Sequence, residues 1–267
     1  MIKFCSEIDH ALNITLRMSR IALITGATSG IGKATAEAFA SAGINLILCG
    51  RRQEKLKSIM LELSEKVKVT TLLFDVRNKK AVFDAIASLP EQWKNIDILI
   101  NNAGNAHGLG TLDEGDTDDW DAMIDGNVKG LLYVSKAVIP ILIANGKGHI
   151  VNISSIAGKQ TYINGAVYCA SKAAVEVLSE GMRLELTQHG IKVTNIAPGA
   201  VETEFSLVRF KGDDERAEKV YEGFDPLQAR DIADAILYAV NAPARVTIAD
   251  VTILAAAQSA ATTIYRK

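Results

Sequence analysis

Cysteine is scarce in this chain of 267 residues. Cys5, Cys49 and Cys169 make an odd number with no C-x-x-C pair, which argues against a disulfide framework and against a cysteine-based zinc site. A reducing, cytoplasmic setting is the expectation. The four histidines, His10, His107, His149 and His189, stand far apart without ligand spacing, so no metal site is expected. His189 precedes Gly190 at the end of a helical pattern, where an imidazole can cap free carbonyls. The chain also lacks a charge excess, at −2 net, and no basic stripe with interleaved aromatics appears, which disfavours nucleic acid as a partner. No uninterrupted apolar run approaches the roughly 20 residues that cross a bilayer, and the first ten residues lack the compact apolar segment of a secretory signal. No membrane partner is expected. There is no Pro/Ser linker, internal repeat or low-complexity tract at which to cut the chain into two domains.

What is present is a hydrophobic content of 48%, enough for one large core, in a regular alternation. Short β-branched runs, near 21–25, 45–49, 69–74, 96–101, 149–154, 192–196 and 246–254, are separated by amphipathic stretches near 31–41, 53–64, 79–87, 120–144, 167–189 and 229–240. This order predicts a single-domain α/β Rossmann fold, a doubly wound, seven-stranded parallel sheet with helices on both faces. Two segments break the rhythm. Residues 1–19 precede the first strand, and Met18 is itself a possible start, so this arm is expected to be dispensable or an oligomer contact. Residues 202–225 are long, polar and aromatic-containing, and follow a strand's C-terminal end, where α/β sheets bind ligands; they are expected to form a mobile substrate lid.

The sharpest local signal is Ile21-Ala-Leu-Ile-Thr25-Gly26-Ala-Thr28-Ser29-Gly30-Ile31-Gly32. A buried strand runs into glycines and then into a helix, the arrangement in which helix N–H groups receive a pyrophosphate. Gly26, Thr28, Ser29, Gly30 and Ile31 are the candidate contacts, while Gly32 allows helix and sheet to approach closely. The spacing is neither G-x-G-x-x-G nor the loop of nucleoside triphosphatases, and a turn that serves packing alone is the competing reading. At the end of the second strand, where an NAD enzyme places a carboxylate, stand Arg51 and Arg52. A guanidinium fork suits a 2′-phosphate, so NADP is favoured over NAD, against the reading that both are solvated helix-start residues. Asp75-Val76 after the third strand can face the adenine amino group. Asn101-Asn102-Ala103-Gly104 after the fourth offers small residues beside a ribose and nicotinamide.

Tyr168 and Lys172 form a Y-x-x-x-K pair on one helix face. A nearby ammonium and a cationic nicotinamide would favour the phenolate, letting Tyr168 move a proton to or from a reacting oxygen. Ser154 and Ser155 end a strand, and one hydroxyl is expected to hold that oxygen without acting as nucleophile, because no histidine–acid pair accompanies it. Asn127, polar within an apolar helix, either holds a water linked to Lys172 or caps a helix irregularity. Cys169 is expected to be a packing residue rather than a redox sensor.

Taken together these residues resemble the short-chain dehydrogenase/reductase family, from Arg20 to near the C-terminus. The resemblance rests on Thr25-Gly26-x-x-x-Gly30-x-Gly32, the Asn101–Gly104 segment, Asn127, Ser155, Tyr168-x-x-x-Lys172 and Pro198-Gly199-x-x-x-Thr203. It implies a catalytic tetrad of Asn127, Ser155, Tyr168 and Lys172, and selects Ser155 over Ser154. It also implies that Tyr168, Lys172, Pro198, Gly199, Val201 and Thr203 approach the nicotinamide end of the cofactor. A narrower likeness, carried by Asp75-Val-Arg-Asn, Ser88-Leu-Pro-x-x-Trp93, Asp119-Trp120 and Phe205-Ser-x-Val-Arg209-Phe210-Lys211-Gly212-Asp213, is to the NADP-dependent 3-hydroxy acid dehydrogenases. Those act on serine, allo-threonine and related acids, or reduce malonic semialdehyde, and are tetrameric. The resemblance thus implies NADP, a small 3-hydroxy acid and a homotetramer. Ser155 and Tyr168 would meet the substrate, and Arg209 or Lys211 its carboxylate, unless these cations serve the cofactor, a neighbouring subunit or solvent. A reductase of broader ketones, sugars or acyl groups and a catalytically silent NADP-binding regulator are the alternatives.

Overall fold

The computed structural model describes residues 20–267, so the expectations for residues 1–19, Cys5 and His10 lie outside the described residues. Seven parallel strands run in the order β3-β2-β1-β4-β5-β6-β9: β1 (Ile21–Thr25), β2 (Asn45–Gly50), β3 (Val69–Leu73), β4 (Ile98–Asn101), β5 (Gly148–Ile153), β6 (Ile191–Pro198) and β9 (Asp250–Ile253). Between them lie α1 (Gly30–Ser41), α2 (Gln53–Leu63), α3 (Lys79–Ala87), α4 (Thr117–Ile124), α5 (Leu131–Ala144), α6 (Ala166–Leu186) and α9 (Ala229–Asn241). The seven expected strands are all in this sheet, and it is the doubly wound Rossmann arrangement.

The reason lies in the side-chain alternation of the strands. Leu23, Ile47, Leu99, Ile150 and Val193 point to one face, where α3, α5 and α6 cover them with Val82, Val134, Val138 and Met182. Ala22, Ile24, Leu46, Leu48, Ile100, Val151 and Ile196 point to the other, beneath Phe39, Leu56, Ile59, Ile232 and Ile236 of α1, α2 and α9. Strands buried on both faces have no polar side, which is why they read as continuous apolar runs. Helix starts are fixed locally. Asn78 accepts the Ala81 N–H ahead of α3, Asp116 accepts the Asp118 N–H ahead of α4, and Gln228 and Asp231 form a reciprocal cap on α9.

The structure departs from the sequence pattern in three places. The expected helix 120–144 is two helices joined by a π turn, Asp125–Gly130, with Asn127 at its centre. The last strand is shorter than 246–254, because the Val246 N–H closes a turn on the Pro243 carbonyl and pairing with β6 begins only at Asp250. Residues 202–225 are not one loop. They hold α7 (Phe205–Arg209) and α8 (Asp214–Lys219), and the segment is bracketed by a two-stranded parallel ribbon, β7 (Val201–Glu202) with β8 (Leu227–Gln228). Pairs of two residues carry too little periodicity to read from sequence. Thr117–Ala144 is long and apolar enough to cross a membrane, yet Leu131, Val134, Val138 and Leu142 of α5 pack in the core.

Polar residues inside the sheet are bonded into a ladder. The Asn101 amide donates to Ser135 and Asn152, and the Asn152 amide to Ser179, tying β4 and β5 to α5 and α6. His149 of β5 lies 2.7 Å from the Thr194 hydroxyl of β6, and burial, aided by Lys192 and Arg20, lowers its pKa from 6.5 to about 4. The folded chain therefore holds a neutral ring while the unfolded chain takes up a proton below about pH 6.5. The stability this contributes is complete above that pH and is lost as pH falls toward 4. Urea titrations should show the native protein losing about 2–3 kcal/mol more than His149→Gln between pH 7 and pH 4; equal losses would contradict the assignment.

Candidate active site

The sheet order reverses between β1 and β4, and the crevice opens beyond the C-terminal ends of these strands. Gly26 (φ +65°) makes the exit from β1 and Gly30 (φ +51°) starts α1, both in backbone conformations that side-chain-bearing residues resist. The Thr25 hydroxyl donates to the Ile100 carbonyl at 3.2 Å and accepts the backbone N–H groups of Asn102 and Ala103, each at 3.0 Å. The Asn102 side chain donates to the Thr25 and Gly26 carbonyls at 2.9 and 3.2 Å. A Cβ on Gly32 would lie 2.3 Å from the Gly26 carbonyl oxygen and 2.5 Å from the Asn102 amide nitrogen. Gly32 thus serves the approach of turn, helix and β4 segment together.

The end of the crevice beside β2 and β3 carries the expected cations. Arg51 is exposed and pairs with Asp75 at 3.4 Å. Asp75 is also gripped by Arg77, at 2.7 Å; burial acts to raise its pKa, but the Arg77 hydrogen bonds and the charges of Arg77 and Arg51 outweigh it and hold the carboxyl at about 2. Arg52 turns toward the glycine loop, donating to Thr28 (2.8 Å), Ser29 (2.7 Å) and Glu204 (2.7 Å). Val76 packs against Gly130 of the π turn. A dinucleotide suits this set: two positive-φ glycines, a helix N-terminus, and two arginines with no acid at the end of β2.

At the other end, Tyr168 and Lys172 sit in the first turns of α6, both buried. Ser155, on the turn after β5, stands beside the Tyr168 phenol, and its hydroxyl donates to the Pro198 carbonyl at 3.4 Å. Ser154 points away, to the Lys172 carbonyl at 3.1 Å, as alternation along a strand requires. Lys172 Nζ donates to the Ile153 carbonyl at 3.0 Å and lies 6.0 Å from the centre of the Tyr168 ring. A Cβ on Gly104 would come within 2.9 Å of Asn127 Oδ1 and 3.3 Å of Lys172 Nζ, so these groups converge there. The Asn127 side chain bridges helix and loop, accepting from the Asn105 N–H (2.7 Å) and donating to the Asn105 carbonyl (2.8 Å) and Ser171 (2.9 Å). Asn127 thus lies within the helix irregularity, and its side chain bonds the neighbouring loop and α6.

The electrostatics differ from the expectation in one respect. Burial pushes the Tyr168 phenol up, as does neighbouring Tyr162, against the adjacent Ser155 hydroxyl and the positive charge of Arg209. Lys172 has its amine turned to a backbone carbonyl, and burial lowers its pKa to about 8. Two cations lie over the Tyr168 ring, Arg209 of α7 at 5.5 Å from its centre and Lys172 at 6.0 Å.

Pro198 ends β6. The Gly199 N–H donates to the Ile253 carbonyl at 2.7 Å, and the Ala200 N–H to the side chain of buried Gln258 at 2.9 Å. Val201 lies in β7, and the Thr203 methyl would be 3.2 Å from a Cβ on Gly30, so this segment folds over the glycine turn. A cavity of ≈ 160 Å³ beside Tyr168 is lined by His107, Trp120, Met123 and Arg209. Burial holds the pKa of His107 down. Arg209 donates to the Gly108 carbonyl (3.2 Å) and the Tyr162 hydroxyl (3.1 Å), whereas Lys211 lies between Asp119 (3.0 Å) and Asp116 (3.4 Å). A larger cavity, ≈ 490 Å³, lies between residues 223–231 and the C-terminal segment and contains neither Tyr168 nor Lys172. Tyr162, Gln258 and Glu204 escape sequence reasoning, since none belongs to a spaced motif. Among the described residues no group of side chains could hold a metal, and Cys49 and Cys169 are buried free thiols whose pKa values burial raises.

The chain belongs to the short-chain dehydrogenase family, whose sequence profile matches residues 20–213. Among curated relatives, sulfoacetaldehyde reductase 2 of Chromohalobacter salexigens is 47% identical over 232 residues, covering 86% of this chain and 92% of the relative. NADP-dependent 3-hydroxy acid dehydrogenase YdfG of Salmonella typhi is 45% identical over 240 residues, 90% of this chain and 96% of the relative. Among solved structures, the closed form of serine dehydrogenase complexed with NADP+ superposes with a TM-score of 0.87 at 42% identity, covering 92% of this chain and all of that one.

The contact at Gly32 is between backbone atoms and cannot be relieved by a rotamer change. Gly32→Ala should therefore cost about 1–3 kcal/mol of stability and weaken dinucleotide binding, read by urea denaturation and by coenzyme fluorescence.

Proposed function

We propose that this chain is an NADP-dependent oxidoreductase that interconverts a hydroxyl and a carbonyl on small 3-hydroxy acids such as serine or allo-threonine. The observation that carries this reading is that Tyr168, with Ser155 beside it, and Arg209 line one small cavity next to a dinucleotide-type crevice. When bound, the coenzyme supplies the hydride acceptor or donor. Gly26, Thr28, Ser29, Gly30, Ile31 and the Asn102–Gly104 segment would hold it from the sheet. Arg51 and Arg52 would meet its 2′-phosphate, and Pro198, Gly199, Val201 and Thr203 its nicotinamide end. Asp75 and Val76 would lie beside the adenine.

In the oxidation direction Ser155 holds the substrate hydroxyl, and Tyr168 accepts its proton as carbon–hydrogen cleavage proceeds; in reduction Tyr168 returns it. A phenol raised by burial is a poor base at neutral pH, so the positive charges around it do necessary work. Lys172 supplies one, and Asn127 fixes the π turn against which the active-site loop rests. Arg209 has a charge-assisted donor to offer a substrate carboxylate. Residues 202–225 then act as the substrate lid, with Arg209 carried on it.

The anion need not be a carboxylate. A guanidinium receives a sulfonate as well, and the 47% identity to a sulfoacetaldehyde reductase favours a second reading in which the substrate is a short sulfonated aldehyde. We also propose a homotetramer, supported by apolar residues that face outward on α5 (Leu132, Ile143) and α6 (Val177, Leu184), and a cytoplasmic location. Light scattering after gel filtration tests the assembly.

A spectrophotometric screen with NADP(H) and NAD(H) in parallel, using serine, allo-threonine, malonic semialdehyde, sulfoacetaldehyde and uncharged ketones, separates these readings. Tyr168→Phe should lower kcat by about 10²–10⁴-fold while NADPH binding persists; unchanged turnover would refute the assignment. Arg209→Gln should raise KM for anionic substrates by about 10–100-fold, and equal losses on uncharged ketones would remove its role in anion recognition.

A further inference from the structure

The cations at the adenosine end of the crevice are not free. Arg52, just ahead of α2, and Lys55, in its first turn, both bind the carboxylate of Glu204, at 2.7 and 2.8 Å. Glu204 stands immediately before α7, at the start of the lid segment. The same Arg52 guanidinium donates to the Thr28 and Ser29 hydroxyls, so it is already oriented on the glycine turn, and Glu204 occupies its outward edge. One residue earlier, the Thr203 methyl rests on Gly30. The other nearby charges are paired elsewhere: Arg51 with Asp75, and Glu202 with the Gln228 amide. Hydrogen bonds from Lys55 and Arg52 hold the Glu204 carboxyl down at about 2, so it is an anion at any pH near neutrality.

A 2′-phosphate is also an anion, and it seeks the same planar fork. If the carboxylate stays, it repels the phosphate across Arg52; if it leaves, two ion pairs and the anchoring of the lid's first turn are lost. Both routes reduce the free energy gained when a phosphorylated adenosine binds. Neither touches an adenosine that carries ribose hydroxyls alone.

We propose that Glu204 is a determinant of coenzyme affinity and discrimination, competing with the 2′-phosphate for Arg52 and Lys55 and so restraining NADP(H) binding selectively. The inference rests on the reading of this chain as NADP-dependent. It gives the lid a direct connection to the coenzyme: binding of the phosphorylated adenosine releases the lid's first turn from α2, and lid closure through Glu204 helps to expel the coenzyme after turnover.

The test is a set of fluorescence and calorimetric titrations of the full chain, native, Glu204→Gln and Arg52→Gln, with NADPH, NADH, adenosine 2′,5′-bisphosphate and adenosine 5′-monophosphate. All three partners are partly exposed, so the effect should be moderate. Glu204→Gln is expected to tighten NADPH and adenosine 2′,5′-bisphosphate by about 3–10-fold while changing NADH and adenosine 5′-monophosphate by less than about twofold. Unchanged or weakened binding of the 2′-phosphorylated ligands by Glu204→Gln would overturn the proposal, the weakened case showing that Glu204 clasps the lid over the coenzyme instead. Failure of the NADP reading has a different signature: the native chain would bind NADPH no tighter than NADH, and Arg52→Gln would weaken neither.

Discussion

The Thr25 hydroxyl, at the end of β1, donates a hydrogen bond to β4 and accepts two from N–H groups of the chain that leaves β4. With the Asn102 amide on the opposite side of the turn, it sews together the two strands at which the sheet reverses direction. The crevice exists because helices depart to opposite faces on either side of this junction. Its floor stays level only because the backbones beside it meet without side chains, at Gly26 and Gly32. The position of Gly104 follows from that junction, and with it the approach of Asn127 and Lys172.

Around this fixed floor the other walls are of two kinds. The wall built from β5 and α6 is buried: Tyr168, Lys172, Ser154 and Asn152 are enclosed, with Lys172 and Ser154 bonded to backbone carbonyls and Asn152 to Ser179. The wall built from residues 199–225 is held by side chains of partial exposure, through Glu204 at one end and Arg209 and Lys211 farther along. Under the proposed function, proton chemistry falls to the buried wall, and selectivity for the anion and the coenzyme to the more exposed one.

Legibility from sequence follows the same division. Strands such as Ile21–Thr25 and Asn45–Gly50 were readable because burial on both faces forces continuous apolar runs. The glycines were readable because the loss of Cβ is required at fixed offsets from a strand. Tyr168 and Lys172 were readable because one helical turn sets their spacing. Tyr162, Gln258 and Glu204 were not, because each meets its partner across 47, 58 or 152 positions of chain, and nothing local marks a residue selected by a distant one. The depth of the phenol was not readable for a related reason: Y-x-x-x-K reports that an amine is near, but not which acceptor the amine meets or how deeply the ring is enclosed. The π turn lay between these cases, since an asparagine out of phase with an apolar helix signals an irregularity without naming it.

That turn has a consequence for how the long helical arm can vary. A π turn is an α-helix carrying one surplus residue, so α4 and α5 are out of phase by about 100° relative to a continuous helix. Trp120 and Met123 face the cavity beside Tyr168 while Val134 and Val138 face the sheet, and the surplus residue lets one arm serve both. A natural homologue shorter by a single residue between Thr117 and Ala144 would have to forgo one of those two faces, so length in this stretch is constrained more tightly than composition.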